Sequence, residues 1–161
     1  MGKEYKMNDK GYYYTKISAY EREIAACNIA ISKKNQQASE LASLKSKIFR
    51  YSEVFDEVQR NRRNSLSLAV GELFSRKRYS QRIVQSFEQG MNELLSGSEQ
   101  KSVFDGLIAA EETVAEKIRR LNNEIEECYR QISEYNDSIA ECRREIRRIE
   151  EREREYGRYR Y

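Results

Sequence analysis

The sequence contains no proline, no tryptophan and no histidine, and only 7 of its 161 residues are glycine. Because β-sheet and α/β folds need proline and glycine at regular turns, this composition argues against both classes. The missing histidine removes the commonest general base and the commonest metal ligand, which excludes a histidine-based catalytic triad and a histidine-bearing zinc site. We therefore expect no enzyme activity, no cofactor and no metal site.

Long apolar runs and a strong excess of charge are lacking as well. No stretch approaches the roughly 20 apolar residues that span a bilayer, and the first residues lack the apolar segment of a signal peptide. The 30 Lys and Arg residues nearly balance the 27 Asp and Glu residues, so the composition requires no polyanionic partner. The 3 cysteines show no CxxC spacing, which is typical of a reducing compartment. We expect a cytoplasmic protein without a membrane span.

Two stretches carry apolar residues at alternating steps of three and four, the heptad pattern of coiled coils. The first runs from Ile17 to Ile48, and the second runs from Val114 to Ile149 without a miss. Within the first stretch, the steps from Ala38 through Leu41 to Leu44 are three and three, which shifts the phase of the apolar stripe.

The pattern predicts an all-α protein with two long heptad helices, either an elongated helical hairpin or a three-helix coiled-coil bundle. In the hairpin the first and third helices pair antiparallel, whereas in a serial bundle the three helices run up, down and up. The polar segment Arg60–Ser65 predicts a bend, and Gly97 is suited to a left-handed helix C-terminus. We expect a loose N-terminal tail over residues 1–12 and a single elongated helical domain over 13–157, with helices over about 13–62, 66–95 and 101–156.

The apolar stripes of the two long helices form the predicted partner-binding seam. Burying one isoleucine contributes roughly 1.5 to 3 kcal/mol, so a seam left in water requires a partner. We expect the stripes to pack against each other and against a helical partner protein, and a homo-oligomer is an alternative. The predicted seam residues are Ile17, Tyr20, Ile24, Cys27, Ile31, Ile118, Ile125, Ile132, Tyr135, Ile139 and Ile146.

The middle of the chain is basic, with 10 Lys and Arg residues against 4 acids between Lys45 and Arg82. A basic surface binds phosphates by releasing counterions, but most charge runs are solvated faces and the segment matches no nucleic-acid motif. Two alternative functions therefore stay open, a nucleic-acid-binding basic coiled coil and an architectural homodimer. The candidate basic patch comprises Arg60, Arg62, Arg63, Arg76, Lys77 and Arg78.

Two long amphipathic helices rich in Ile, Glu, Arg and Ser, flanking a short middle region with glycine at a turn, resemble the YwqH-like family over about residues 13–150. These proteins are relatives of the WXG-type helical hairpins of type VII secretion. Leu95-Ser96-Gly97 matches the L-x-G variant of the family's turn, whereas Ala69-Val70-Gly71 has alanine in place of tryptophan. The tyrosine followed four residues on by an acid, found at the C-terminus of WXG-type substrates, occurs here only as Tyr5 and Asp9.

The resemblance implies a non-enzymatic accessory role in type VII secretion. In that role the helical protein binds the helical N-terminal domain of an LXG-type toxin and helps to present it to the secretion machinery, as a chaperone-like adaptor. The resemblance also implies that the protein either stays in the cytoplasm or is exported together with its partner.

Overall fold

The computed structural model describes residues 10–75 and 80–158, which form three helices: α1 (Lys10–Ser75), α2 (Gln81–Ser96) and α3 (Ser98–Arg158). No strand occurs in these two ranges, so the predicted all-α class is confirmed. Two of the helices are long, with 66 and 61 residues, which is compatible with a helical hairpin. No helix in the described ranges is both long enough and apolar enough to cross a membrane.

The predicted bend at Arg60–Ser65 is wrong, because α1 continues without interruption to Ser75. All side chains from Arg60 to Ser65 are exposed, while Gln59 and Leu66 on either side of them are buried. These two residues are one heptad apart, so the packed face of the helix passes directly from one to the other. The helix therefore persists because a buried glutamine continues a face that we expected only apolar residues to form.

The helix bounds differ accordingly from the predicted ones. Residues 66–75, which we assigned to the second helix, belong to α1, and residues 10–12 of the expected loose tail are also helical. The remainder of that tail, residues 1–9, lies outside the described residues. The third helix begins at Ser98, slightly before its predicted start.

The break between α2 and α3 lies at Gly97, whose backbone is extended (φ −70°, ψ 174°) rather than left-handed as predicted. Glycine is needed there for space, because a Cβ atom would lie 2.5 Å from the carbonyl oxygen of Glu93. The carbonyl of Gly97 accepts hydrogen bonds from the backbone N–H groups of Gln100 and Lys101, at 3.2 and 3.3 Å. The bond from Lys101 is the first i→i−4 bond of α3, and the bond from Gln100 pairs one of the N–H groups that the start of a helix leaves without partners.

The described chain divides into two compact units. Unit 1 comprises residues 10–38 and 120–158, and unit 2 comprises residues 39–75 and 80–119. Helices α1 and α3 contribute to both units, and α2 belongs to unit 2. The prediction of a single elongated domain over residues 13–157 stays a prediction.

In unit 1, α1 and α3 pack antiparallel. Ion pairs join Lys10 to Glu153 and Lys34 to Glu124, so the start of α1 lies beside the end of α3. Between these ion pairs, the ring of Tyr20 stacks on that of Tyr135, with centroids 5.8 Å apart. The buried cluster of unit 1 consists of Ile17, Ile139, Cys142 and Ile146, with Tyr13, Tyr20 and Ile24 packed against it.

In unit 2, α1 and α3 are again antiparallel, as the ion pair between Lys45 and Glu111 shows together with the hydrogen bond between Gln59 and Gln100. A serial up, down and up bundle would make α1 and α3 parallel, so this alternative is wrong for both units. Helix α2 packs on the last turns of α1 through a second buried cluster, formed by Leu66, Val70, Val84 and Leu95 with Leu73 and Met91 against it.

Candidate interaction surfaces

The structure places the predicted seam residues in contacts within the chain. All of them lie in unit 1 except Ile118, which lies in unit 2. None of them is exposed, so the two stripes pack against each other and leave little of the seam for a partner. Ile17, Cys27, Ile31, Ile125, Ile139 and Ile146 are buried, and Tyr20, Ile24, Ile118, Ile132 and Tyr135 are half-buried.

The pKa values of two polar side chains along this seam are shifted by their surroundings. The Glu153 carboxylate accepts a hydrogen bond from Lys10 Nζ, which raises the pKa of that lysine. Removal from water raises the pKa of Tyr135, and the nearby negative charge of Glu23 acts in the same direction. Both shifts favour the protonation states that these side chains have at neutral pH.

The cysteines of the seam are free thiols. Cys27 is buried, and its Sγ lies 3.6 Å from Oε1 of Gln131 on α3. Loss of hydration raises the pKa of the Cys27 thiol, and interaction with Cys128 adds to the increase. Cys142 is buried in the cluster that contains Ile17.

A different apolar surface is exposed on unit 2. On α1, the side chains of Leu44, Tyr51, Val54 and Val58, which we call the outer row, are 44%, 67%, 51% and 40% exposed. Leu44, Tyr51 and Val58 are spaced by heptads, and Val54 lies between the last two at helical spacing, so the outer row occupies one face of the helix. Further large apolar side chains of unit 2 are exposed on α2 (Ile83, Phe87 and Leu94) and on α3 (Val103, Phe104 and Ile108).

The outer row lies beside the face of α1 that packs within unit 2. That packed face contains the half-buried Leu41, Ile48 and Phe55 and the buried Gln59. The first predicted stripe includes Leu44, so the exposure of this residue was not expected from the sequence. The two consecutive three-residue steps that end at Leu44 were the sign of this exposure in the sequence. They shift the apolar stripe around the helix, away from the face that contacts the rest of the chain.

The candidate basic patch is only partly described. Arg60, Arg62 and Arg63 are exposed on α1, and Nη2 of Arg60 lies 3.3 Å from Oδ2 of Asp56. Since residues two apart point to different sides of a helix, Arg60 and Arg62 do not share a face. The other members of the patch, Arg76, Lys77 and Arg78, lie outside the described residues.

Metal-ligand clusters and grooves are the other candidate sites considered in the described ranges. Over residues 10–75 and 80–158, no three His, Cys, Asp or Glu side chains are grouped so that they could hold a metal ion. An open groove of about 550 Å³ in unit 1 is lined by side chains that include Arg143, Arg144 and Arg147 together with Glu21. The groove is open to solvent and carries charges of both signs.

Comparisons with family models, with curated proteins and with solved structures found no significant match to this chain.

Proposed function

We propose that this chain is a non-enzymatic helical interaction protein that binds the amphipathic helix of a partner protein through the outer row of unit 2. The exposure of Leu44, Tyr51, Val54 and Val58 on one face of α1 carries this proposal. Full burial of one such side chain contributes about 1.5 to 3 kcal/mol, so covering the row supplies a large part of the free energy of binding. Helix-in-groove recognition uses apolar anchors at this spacing.

The charges beside the outer row indicate the chemistry of the partner. Lys47 follows Leu44 by three residues and Arg62 follows Val58 by four, while Glu40 precedes Leu44 by four and Glu57 follows Val54 by three. All four side chains are exposed beside the row, which therefore has flanking charges of both signs. A partner helix with an apolar heptad stripe and flanking residues of both charges complements this surface.

The resemblance to the YwqH-like family supports a specific partner class. We propose that the partner is the helical N-terminal domain of an LXG-type toxin and that the chain acts as its chaperone-like accessory or targeting protein in type VII secretion. Binding takes place in the cytoplasm, and the chain either remains there or leaves with the toxin.

Co-purification of the full chain with a co-expressed LXG toxin N-terminal domain tests this proposal. Tyr51→Glu places a charge in the outer row and should abolish the complex, while circular dichroism shows unchanged helicity. Tyr129→Glu is the matched control, because Tyr129 is 57% exposed on α3 in unit 1. This control variant should bind the toxin domain as the unaltered chain does.

Three results would contradict the proposal. Equal binding by the Tyr51→Glu variant would show that the outer row is not the binding site. Loss of every partner on nuclease treatment would favour nucleic-acid binding through the basic segment. A stable homodimer that excludes the toxin domain would leave the architectural role.

A further inference from the structure

The two cysteines Cys27 and Cys128 occupy opposite helices of the same seam. Tyr20 on α1 and Tyr135 on α3 fix the register, since their rings stack with centroids 5.8 Å apart. Cys27 lies one heptad after Tyr20, and Cys128 lies one heptad before Tyr135. In antiparallel helices, seven residues forward on α1 and seven residues back on α3 lead to the same layer of side chains. The two thiols therefore face each other across the seam.

Neighbouring contacts agree with this register. The Sγ atom of Cys27 lies 3.6 Å from Oε1 of Gln131, which is one helical turn from Cys128 on α3. Cys128 also lies close enough to Cys27 to contribute to the raised pKa of the Cys27 thiol. Cys27 is buried and Cys128 is half-buried, so a small reagent reaches the latter more easily.

We infer that Cys27 and Cys128 form a redox-responsive pair that closes into a disulfide when the protein meets a small-molecule disulfide such as oxidised glutathione. The inference does not depend on the proposed function. The cross-link would tie α1 to α3 across unit 1. The third thiol, Cys142, packs in the apolar cluster with Ile17 and takes no part.

The reaction proceeds by two thiol–disulfide exchanges. The Cys128 thiolate attacks one sulfur of the small disulfide, which forms a mixed disulfide and releases one small thiol. The Cys27 thiolate then attacks the sulfur of Cys128, which forms the protein disulfide and releases the second small thiol. Two protein thiols are oxidised, one small disulfide is reduced, and the two protons end on the released thiols.

Oxidation of the reduced full chain with oxidised glutathione at about pH 8 tests the inference. The thiol count, measured after unfolding, should fall from 3 to 1, and the product should run as a monomer of increased mobility on non-reducing electrophoresis. Peptide mass spectrometry should find Cys27 linked to Cys128 with the loss of two hydrogen atoms. Cys142→Ser should leave the cross-link intact, whereas Cys27→Ser and Cys128→Ser should each abolish it.

Oxidation of the chain in denaturant provides the reference, because there the native register no longer selects one pairing. Selective formation of the Cys27 to Cys128 link in the folded protein supports the inference. Retention of all three thiols, a mixed disulfide that stays on Cys128, a linkage through Cys142 or a disulfide-linked dimer would each overturn it.

Discussion

Gln100 donates a hydrogen bond from Nε2 to Oε1 of Gln59 at 2.7 Å, and this pair links α3 to α1 within unit 2. Gln59 is 8% exposed, so its amide depends on this partner within the protein. Burial of a polar group is tolerated only when its hydrogen bonds are made. The pair explains why α1 stays packed through a segment that looks like a break in the sequence.

Gln59→Ala should lower the free energy of unfolding by about 1 to 3 kcal/mol, because it removes a buried contact and leaves the amide of Gln100 without its partner. The double variant Gln59→Leu with Gln100→Leu should recover most of this loss, since it replaces both polar groups. Urea unfolding of the full chain followed by circular dichroism measures both effects. Gln85→Ala, at an exposed position of α2, should change stability by less than about 0.5 kcal/mol. A double variant as unstable as the single one would contradict the assigned role of the amide pair.

Gly97→Ala should destabilise unit 2, because its Cβ would lie 2.5 Å from the backbone oxygen of Glu93. Overpacking of this kind costs typically about 1 to 3 kcal/mol. Gly106→Ala is the control: nothing lies within 4 Å of an added Cβ in the interior of α3, so alanine should add about 0.5 to 1 kcal/mol. Thermal unfolding curves of the two variants should shift in opposite directions, and a shared direction would refute the steric account.

Ile139→Ala should cost about 2 to 5 kcal/mol, because Ile139 is 6% exposed in the buried cluster of unit 1. The same substitution at Ile29, which is 71% exposed on α1, should change stability by less than about 0.5 kcal/mol. Chemical unfolding of the two variants compares a packed and an unpacked isoleucine directly. Similar losses at both positions would mean that the antiparallel packing of unit 1 is wrongly assigned.

Ionisation of Tyr135 should make stability fall at high pH. Burial raises its pKa above the ordinary value of 10.0, so above about pH 10 the unfolded chain releases this proton first and unfolding is favoured. Below that pH the contribution is fully present. The decline in melting temperature between about pH 9 and 11 should be shallower for Tyr135→Phe than for Tyr129→Phe, which removes an exposed tyrosine. Equal slopes for the two variants would count against a raised pKa of the half-buried Tyr135.

The helical class and the continuous third helix could be predicted from the sequence, because an unbroken 3-4 stripe such as Val114–Ile149 indicates one long amphipathic helix. The length of α1 could not be predicted, because an apolar pattern does not reveal a buried glutamine whose hydrogen-bond partner is distant in the sequence. The role of Gly97 was misassigned because its need for space comes from the close approach of the Glu93 carbonyl oxygen at the junction of α2 and α3, which the residue pattern does not reveal.

The sequence predicted an apolar helical interaction surface but not the residues that form it. Heptad stripes indicate association, but they do not tell which stripe meets its partner inside the chain. The structure shows that the regular seam of unit 1 is filled by intrachain packing, while the phase-shifted residues Leu44, Tyr51 and Val58 remain exposed. The facing of Cys27 and Cys128 likewise depends on the register between two helices, which periodicity alone does not fix.

A helical partner that covers the outer row should leave the seam of unit 1 closed. Hydrogen exchange of the full chain, free and bound to the LXG toxin N-terminal domain, measures both regions in one experiment. We expect added protection over residues 44–58 and unchanged exchange over residues 132–149. Protection confined to residues 132–149, or no change at residues 44–58 in a formed complex, would contradict it.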